Sequence, residues 1–154
     1  MSKIVNYELI TSTSNIQADM YGSRAKCLQR LIRLGLPVPQ SVALSVPFVN
    51  SIALGKSIDL KKLVTCFPAS PIISVRSSPV SAEWGGPSTI LNIGMNSEIE
   101  KVYSNTLGSI AARELHIKFI KSFAIEVMRL DDEIFDHINI TPEVAIDAYE
   151  QEIA

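Results

Sequence analysis

Residues 71–95, PIISVRSSPVSAEWGGPSTILNIGM, decide how the chain is read. Residues 72–76 form an apolar run expected to be a buried strand that ends on Arg76. Residues 77–88 are a loop of small residues, and Thr89 to Ile93 is a second apolar run leading back into the core. An arginine at a strand end, followed by serines and paired glycines, presents a fixed cation and backbone N–H groups to an anion. Phosphate is the first ligand this pattern suggests. The same residues also fit a plainer arrangement, in which Arg76 neutralises a neighbouring carboxylate and Gly85-Gly86-Pro87 is an ordinary turn.

The surrounding chain is long enough, at 154 residues, for one domain with a core of its own. Charged residues make up 19% and the mean hydropathy is +0.22, a charge-poor globular composition that hints at self-association. The net charge of −2 comes with dispersed basic residues, which argues against nucleic acid as a partner. No apolar run approaches the length that crosses a bilayer, and the start, MSKIVNYELI, does not read as a secretion signal. The expectation is a cytoplasmic protein without a membrane partner. Cys27 and Cys66 lack metal-site spacing and are expected to be small buried hydrophobes. His116 and His137 stand alone, so no metal centre is expected at either.

Upstream, residues 3–10 are β-branched and short, which predicts a strand followed by the polar loop 11–15. From Gly22 the periodicity becomes helical, with Ala25, Leu28 and Leu31 or Ile32 on one face and Gly35 closing the helix. The Gly22-Ser23 start is expected to leave unpaired N–H groups at the positive end of the helix, with Arg24 next to them. An ordinary Ser-capped helix with a solvated basic face fits the same residues. Residues 41–46 predict a strand, Pro47 opens a short helix to Ala53, and a further helix spans residues 60–66. This alternation predicts an α/β arrangement with one small mixed sheet flanked by helices. After Gly94 the chain reads as helical: a helix capped by Ser97, a long amphipathic one over residues 107–128, and two more over residues 131–137 and 141–150. The expected core includes Leu28, Leu31, Ile72, Ile73, Val75, Ile90, Leu91, Ile93, Phe119 and Phe123.

The segment GSRAKCLQRLIRLGLPVP (22–39) resembles the glycine-lysine helix start and following LGLPVP of pyruvate phosphate dikinase and phosphoenolpyruvate synthase. SVRSS and TILNIG are similar to the strand, phosphate loop and return strand of that family, and ELHIKFIKSFAIEVMRLDDEIF (114–135) to the helical region after them. The resemblance covers most of the chain in the same order. It implies the first, ATP-clamping portion of an ATP-grasp nucleotide-binding domain with a helical C-terminal part. It also implies ATP as cofactor, with Gly22, Ser23, Arg24, Arg76, Ser77, Ser78, Gly85, Gly86 and Thr89 as the binding set and the Arg24 and Arg76 segments meeting at one sheet edge.

Three departures qualify the carry-over. Arg24 stands where the family has a phosphate-contacting lysine, which exchanges a compact ammonium for a planar fork. Glu83 falls in the glycine loop, placing a carboxylate where phosphate would approach. The family's magnesium ligands and phospho-accepting histidine belong to later segments than those matched here, so any magnesium would take its ligands from outside this chain. Phosphoryl transfer depends on such charge stabilisation, and the chain alone is expected to bind rather than to transfer. The expected partners are therefore a nucleotide and either a second copy or a complementing polypeptide. The alternative expectation is a non-catalytic remnant that oligomerises or binds a partner.

Overall fold

The computed structural model describes residues 6–68, 71–81, 88–136, 138 and 142–153. They form a helix-rich mixture of α and β structure in two compact units, one comprising residues 6–68 and 78–81 and the other residues 71–77, 88–136, 138 and 142–153. Among the described residues no helix is long and apolar enough to cross a membrane.

The first unit contains β1 (Tyr7–Leu9), α1 (Ala18–Arg33), β2 (Val42–Leu44), α2 (Val46–Ala53) and α3 (Leu60–Val64). β1 and β2 pair antiparallel with Glu8 opposite Ala43. Ile10, Ile16, Tyr21, Ala25 and Ala43 are buried together, and Leu28 and Ile32 from the expected helix face pack on them. Buried Gln29 ties the 11–14 loop to α1: its amide donates to the Thr11 and Ser14 carbonyls and its oxygen accepts from Lys26 Nζ. Gly35, at φ 71, ends α1 as expected. Its N–H donates to the Ile32 carbonyl at 3.0 Å and that of Leu36 to the Leu31 carbonyl at 3.1 Å, the paired bonds of a Schellman turn. Gly55 closes α2 in the same way. Cys27 is exposed and Cys66 half-buried, so neither is the buried hydrophobe that its spacing suggested.

The second unit contains β3 (Ile73–Arg76), β4 (Thr89–Ile93), α4 (Ser97–Leu107), α5 (Ser109–Glu126), a 3-10 turn (Asp132–Phe135) and α6 (Pro142–Ile153). β4 is anchored to α5: Leu91 N–H donates to Ser122 Oγ at 3.1 Å, and Asn92 Nδ2 to the Leu115 carbonyl at 3.0 Å. Ile120, Ala124, Phe135 and Ile146 form the core. The α4 cap is Asn96, not Ser97; its side chain accepts from the N–H groups of Glu98 and Ile99, both at 2.9 Å.

Three expectations are corrected. In place of one mixed sheet, the described residues show two antiparallel pairs, β1–β2 and β3–β4. The β-α-β alternation suggested parallel crossovers, but β1 and β2 pair antiparallel across α1, and β3 and β4 are joined by the loop between them. The β3 strand is not buried, since Ser74, Val75 and Arg76 are all exposed and Val75 retains 53% of its surface. The reason is that β4 takes the helical cover and β3 is its outer neighbour. On α5 the buried stripe is Ala112, His116, Ile120 and Ala124, while Phe123 is 41% exposed. A helix that is apolar on several faces buries the one whose small residues allow close packing.

Candidate functional site

The α1 break is the first part of the site. Gly22 sits inside the helix at φ 82 and ψ 162, a backbone region that is essentially glycine-only. The helical run that carries Arg24 therefore starts anew at Ser23, as the periodicity suggested. A helix start has orphan N–H donors. In this chain two of them are spent internally. The Ser23 N–H and Oγ both donate to the Pro79 carbonyl, at 2.9 and 2.8 Å, and the Ala25 N–H donates to Ser78 Oγ at 3.1 Å. The absent Gly22 side chain makes room for this, because a Cβ built there would lie 1.7 Å from the Ser78 carbonyl oxygen. The Ser23 donor expected to be open to an anion, and that of Ala25 beside it, are thus satisfied by residues more than fifty positions along the chain.

Tyr21, just before the break, is buried. Burial pushes its hydroxyl above the ordinary phenol range, and the Glu8 carboxylate adds to the effect. Arg24 is half-buried on the first turn after the break.

In the second unit, Arg76 is the exposed last residue of β3 and pairs in register with Thr89. Ser77 N–H donates to the Ser88 carbonyl at 3.4 Å, so the pairing continues one step into the loop. Among the described residues, neither Arg24 nor Arg76 has an ion-pair or side-chain hydrogen-bond partner. The plainer arrangement, with Arg76 neutralising a carboxylate, finds no carboxylate among them. Gly85, Gly86 and Glu83 lie outside the described residues. Arg24 belongs to the first unit and Arg76 to the second.

No protein-family model and no curated protein matches the chain.

A charged cluster that the sequence did not reveal lies between α4 and α5. Glu100 is buried; its Oε1 accepts from Arg113 Nε at 2.7 Å and its Oε2 is 2.7 Å from His116 Nδ1. A signal existed. Gly108, at φ 88, separates α4 from α5, and residues equidistant from a helical turn face one another. Glu100 and His116 are eight positions to either side of it. The carboxylate clamps two helices, and only part of Arg113 reaches solvent. Among the described residues no group of three or more His, Cys, Asp or Glu side chains could hold a metal ion.

Proposed function

We propose that the chain is a nucleotide-phosphate-binding module of the dikinase type, in which Arg76 holds phosphate oxygens of ATP in the cytoplasm and Arg24, in the other unit, is a further phosphate-contact candidate. The observation that carries this reading is Arg76. It stands exposed at the end of a strand, at the root of a serine-rich loop, without a carboxylate partner among the described residues. An unpaired guanidinium in that position is a ready donor for a planar, bidentate phosphate contact. Arg24, on the helix turn that follows the Gly22 break, is a second cation of the same kind. The reading ends at binding, and no residue is assigned to phosphoryl transfer. Calorimetric titration with ATP, with and without magnesium, tests it. Wild-type protein binds, and Arg76→Ala weakens binding about tenfold or more, as loss of a charge-assisted hydrogen bond requires. Absence of binding by folded wild-type protein at millimolar ATP refutes the reading.

A second reading, association with another copy or a complementing chain, is favoured by a separate observation. Leu34, at the end of α1, is 73% exposed, and Leu54, at the end of α2 in the same unit, is 89% exposed. Both leave apolar surface at a helix end for another chain to cover. A strictly monomeric species in sedimentation at tens of micromolar protein refutes this second reading.

A further inference from the structure

We infer that the end of α1 in one copy of the chain docks on the end of α5 in a second copy, basic and apolar surface against acidic and apolar surface. The inference rests on the association reading above and is independent of the nucleotide reading. Charge is divided unevenly along the chain. The described residues of the first unit hold seven Lys or Arg against three Asp or Glu, and those of the second hold six against twelve. A molecule with a cationic part and an anionic part attracts its own copies, one part to the other.

Each end presents apolar surface beside its charge. At the end of α1, Leu34 and Leu36 are exposed on either side of the Gly35 turn, and Arg30 and Arg33 occupy the last helical turn. Arg33 Nε donates to the Ser12 carbonyl at 2.9 Å, and neither guanidinium pairs with a carboxylate among the described residues. In the second unit, Phe123 and Val127, one turn apart, and Met128 are exposed at the end of α5. The chain then folds back: Leu130 N–H donates to the Ala124 carbonyl at 3.1 Å, and Phe135 is buried with Ile120 and Ala124. That brings the exposed Asp131, Asp132, Glu133 and Asp136 to the same end, where none of them has an ion-pair partner among the described residues. Arg129 is the one base in residues 127–136. The last turn of α5 holds no base either, so the negative end of its dipole adds to the carboxylates. Guanidinium forks and carboxylates are matched donors and acceptors, and each patch carries the charge that the other lacks. An anionic lipid surface would also attract Arg30 and Arg33, but it would repel the acidic second unit.

Charge reversal followed by mixing tests the docking. In sedimentation velocity at tens of micromolar, wild-type protein associates, and the association weakens about tenfold or more between low salt and about 0.5 M NaCl. Arg30→Glu with Arg33→Glu, and separately Asp132→Lys with Asp136→Lys, each weaken self-association about tenfold or more, because like charges then face one another. An equimolar mixture of the two variants associates again, since the reversed patches match each other and so do the unchanged ones. All four residues are exposed, so the variants melt as wild type does. Association indifferent to both reversals, or variants that stay apart when mixed, overturns this docking and leaves the broader association reading standing. Wild-type association that ignores salt overturns it as well, a result that needs no variant. A monomeric wild type overturns both, and its capture by phosphatidylserine vesicles would assign the basic end to lipid instead. None of these results bears on ATP binding through Arg76.

Discussion

Replacing Gly22 by alanine tests the packing of Ser78 and Pro79 against the α1 break at its tightest point. The backbone there, φ 82 and ψ 162, costs a non-glycine residue about 1–3 kcal/mol. The new Cβ would also lie 1.7 Å from the Ser78 carbonyl oxygen, a backbone atom that no side-chain rotation can move aside. Relief requires residues 78 and 79 to leave the helix start, which removes three hydrogen bonds worth about 1 kcal/mol each. The expected loss is about 4–6 kcal/mol. Gly108 provides the matched control: it has nearly the same backbone, φ 88 and ψ 154, but nothing lies within 4 Å of its Cβ position. Gly108→Ala should cost only the backbone part, about 1–3 kcal/mol. Because the two glycines belong to different units, native-state hydrogen exchange reads each loss in its own unit. A Gly22→Ala loss within about 1 kcal/mol of the Gly108→Ala loss refutes the placement of Ser78 against α1.

Glu100→Gln removes the charge that two donors share and should cost the second unit about 2–3 kcal/mol in urea denaturation; a midpoint equal to wild type would show that the clamp is dispensable. Tyr21 carries a raised phenol pKa, so the folded state holds its proton more tightly than the unfolded state does. Its contribution is complete below the unfolded value of about 10 and is lost as pH rises toward the folded value. Stability measured from about pH 9 upward should therefore fall less steeply in Tyr21→Phe than in wild type, and identical slopes would contradict the burial argument. Val75→Asp should change stability by less than about 1 kcal/mol, since half of the side chain already meets water; a collapsed melt would mean that the outer face of β3 is covered in solution.

Local signals in the sequence carried well into the structure. The glycine stop at Gly35, the proline start at Pro47 and the Thr89–Ile93 strand are where the residue pattern puts them, because each depends on the dihedral preferences and hydrogen bonds of a few neighbouring residues. The α4 cap moved by one residue because Asn96 and Ser97 can both cap, and the amide oxygen of Asn96 reaches two N–H groups. Strand pairing was not legible. A run such as ISVR is apolar whether it is central or outermost, and only the positions of β4 and α5 decide which face is covered.

The candidate site shows the same division in sharper form. Sequence identifies donors: Ser23 and Arg24 at a helix start, Arg76 at a strand end. It does not identify what satisfies them, since the answer depends on residues brought close by the fold. Ser23 and Pro79 are 56 positions apart, and the bonds between them turn an expected anion cradle into an anchor for the chain. The same fold leaves Arg24 and Arg76 without partners among the described residues. The Ser23 and Ala25 donors have thus been drawn into the fold, whereas the two arginine side chains have not. A phosphate bound only by guanidinium groups relies on charge more than on directed amide dipoles, so its affinity should fall steeply with ionic strength. A phosphate seated among the amides at the start of α1 would be screened far less. Weak salt dependence of ATP binding would therefore place the ligand at a helix start released from Ser78 and Pro79, and would contradict the arginine-borne site.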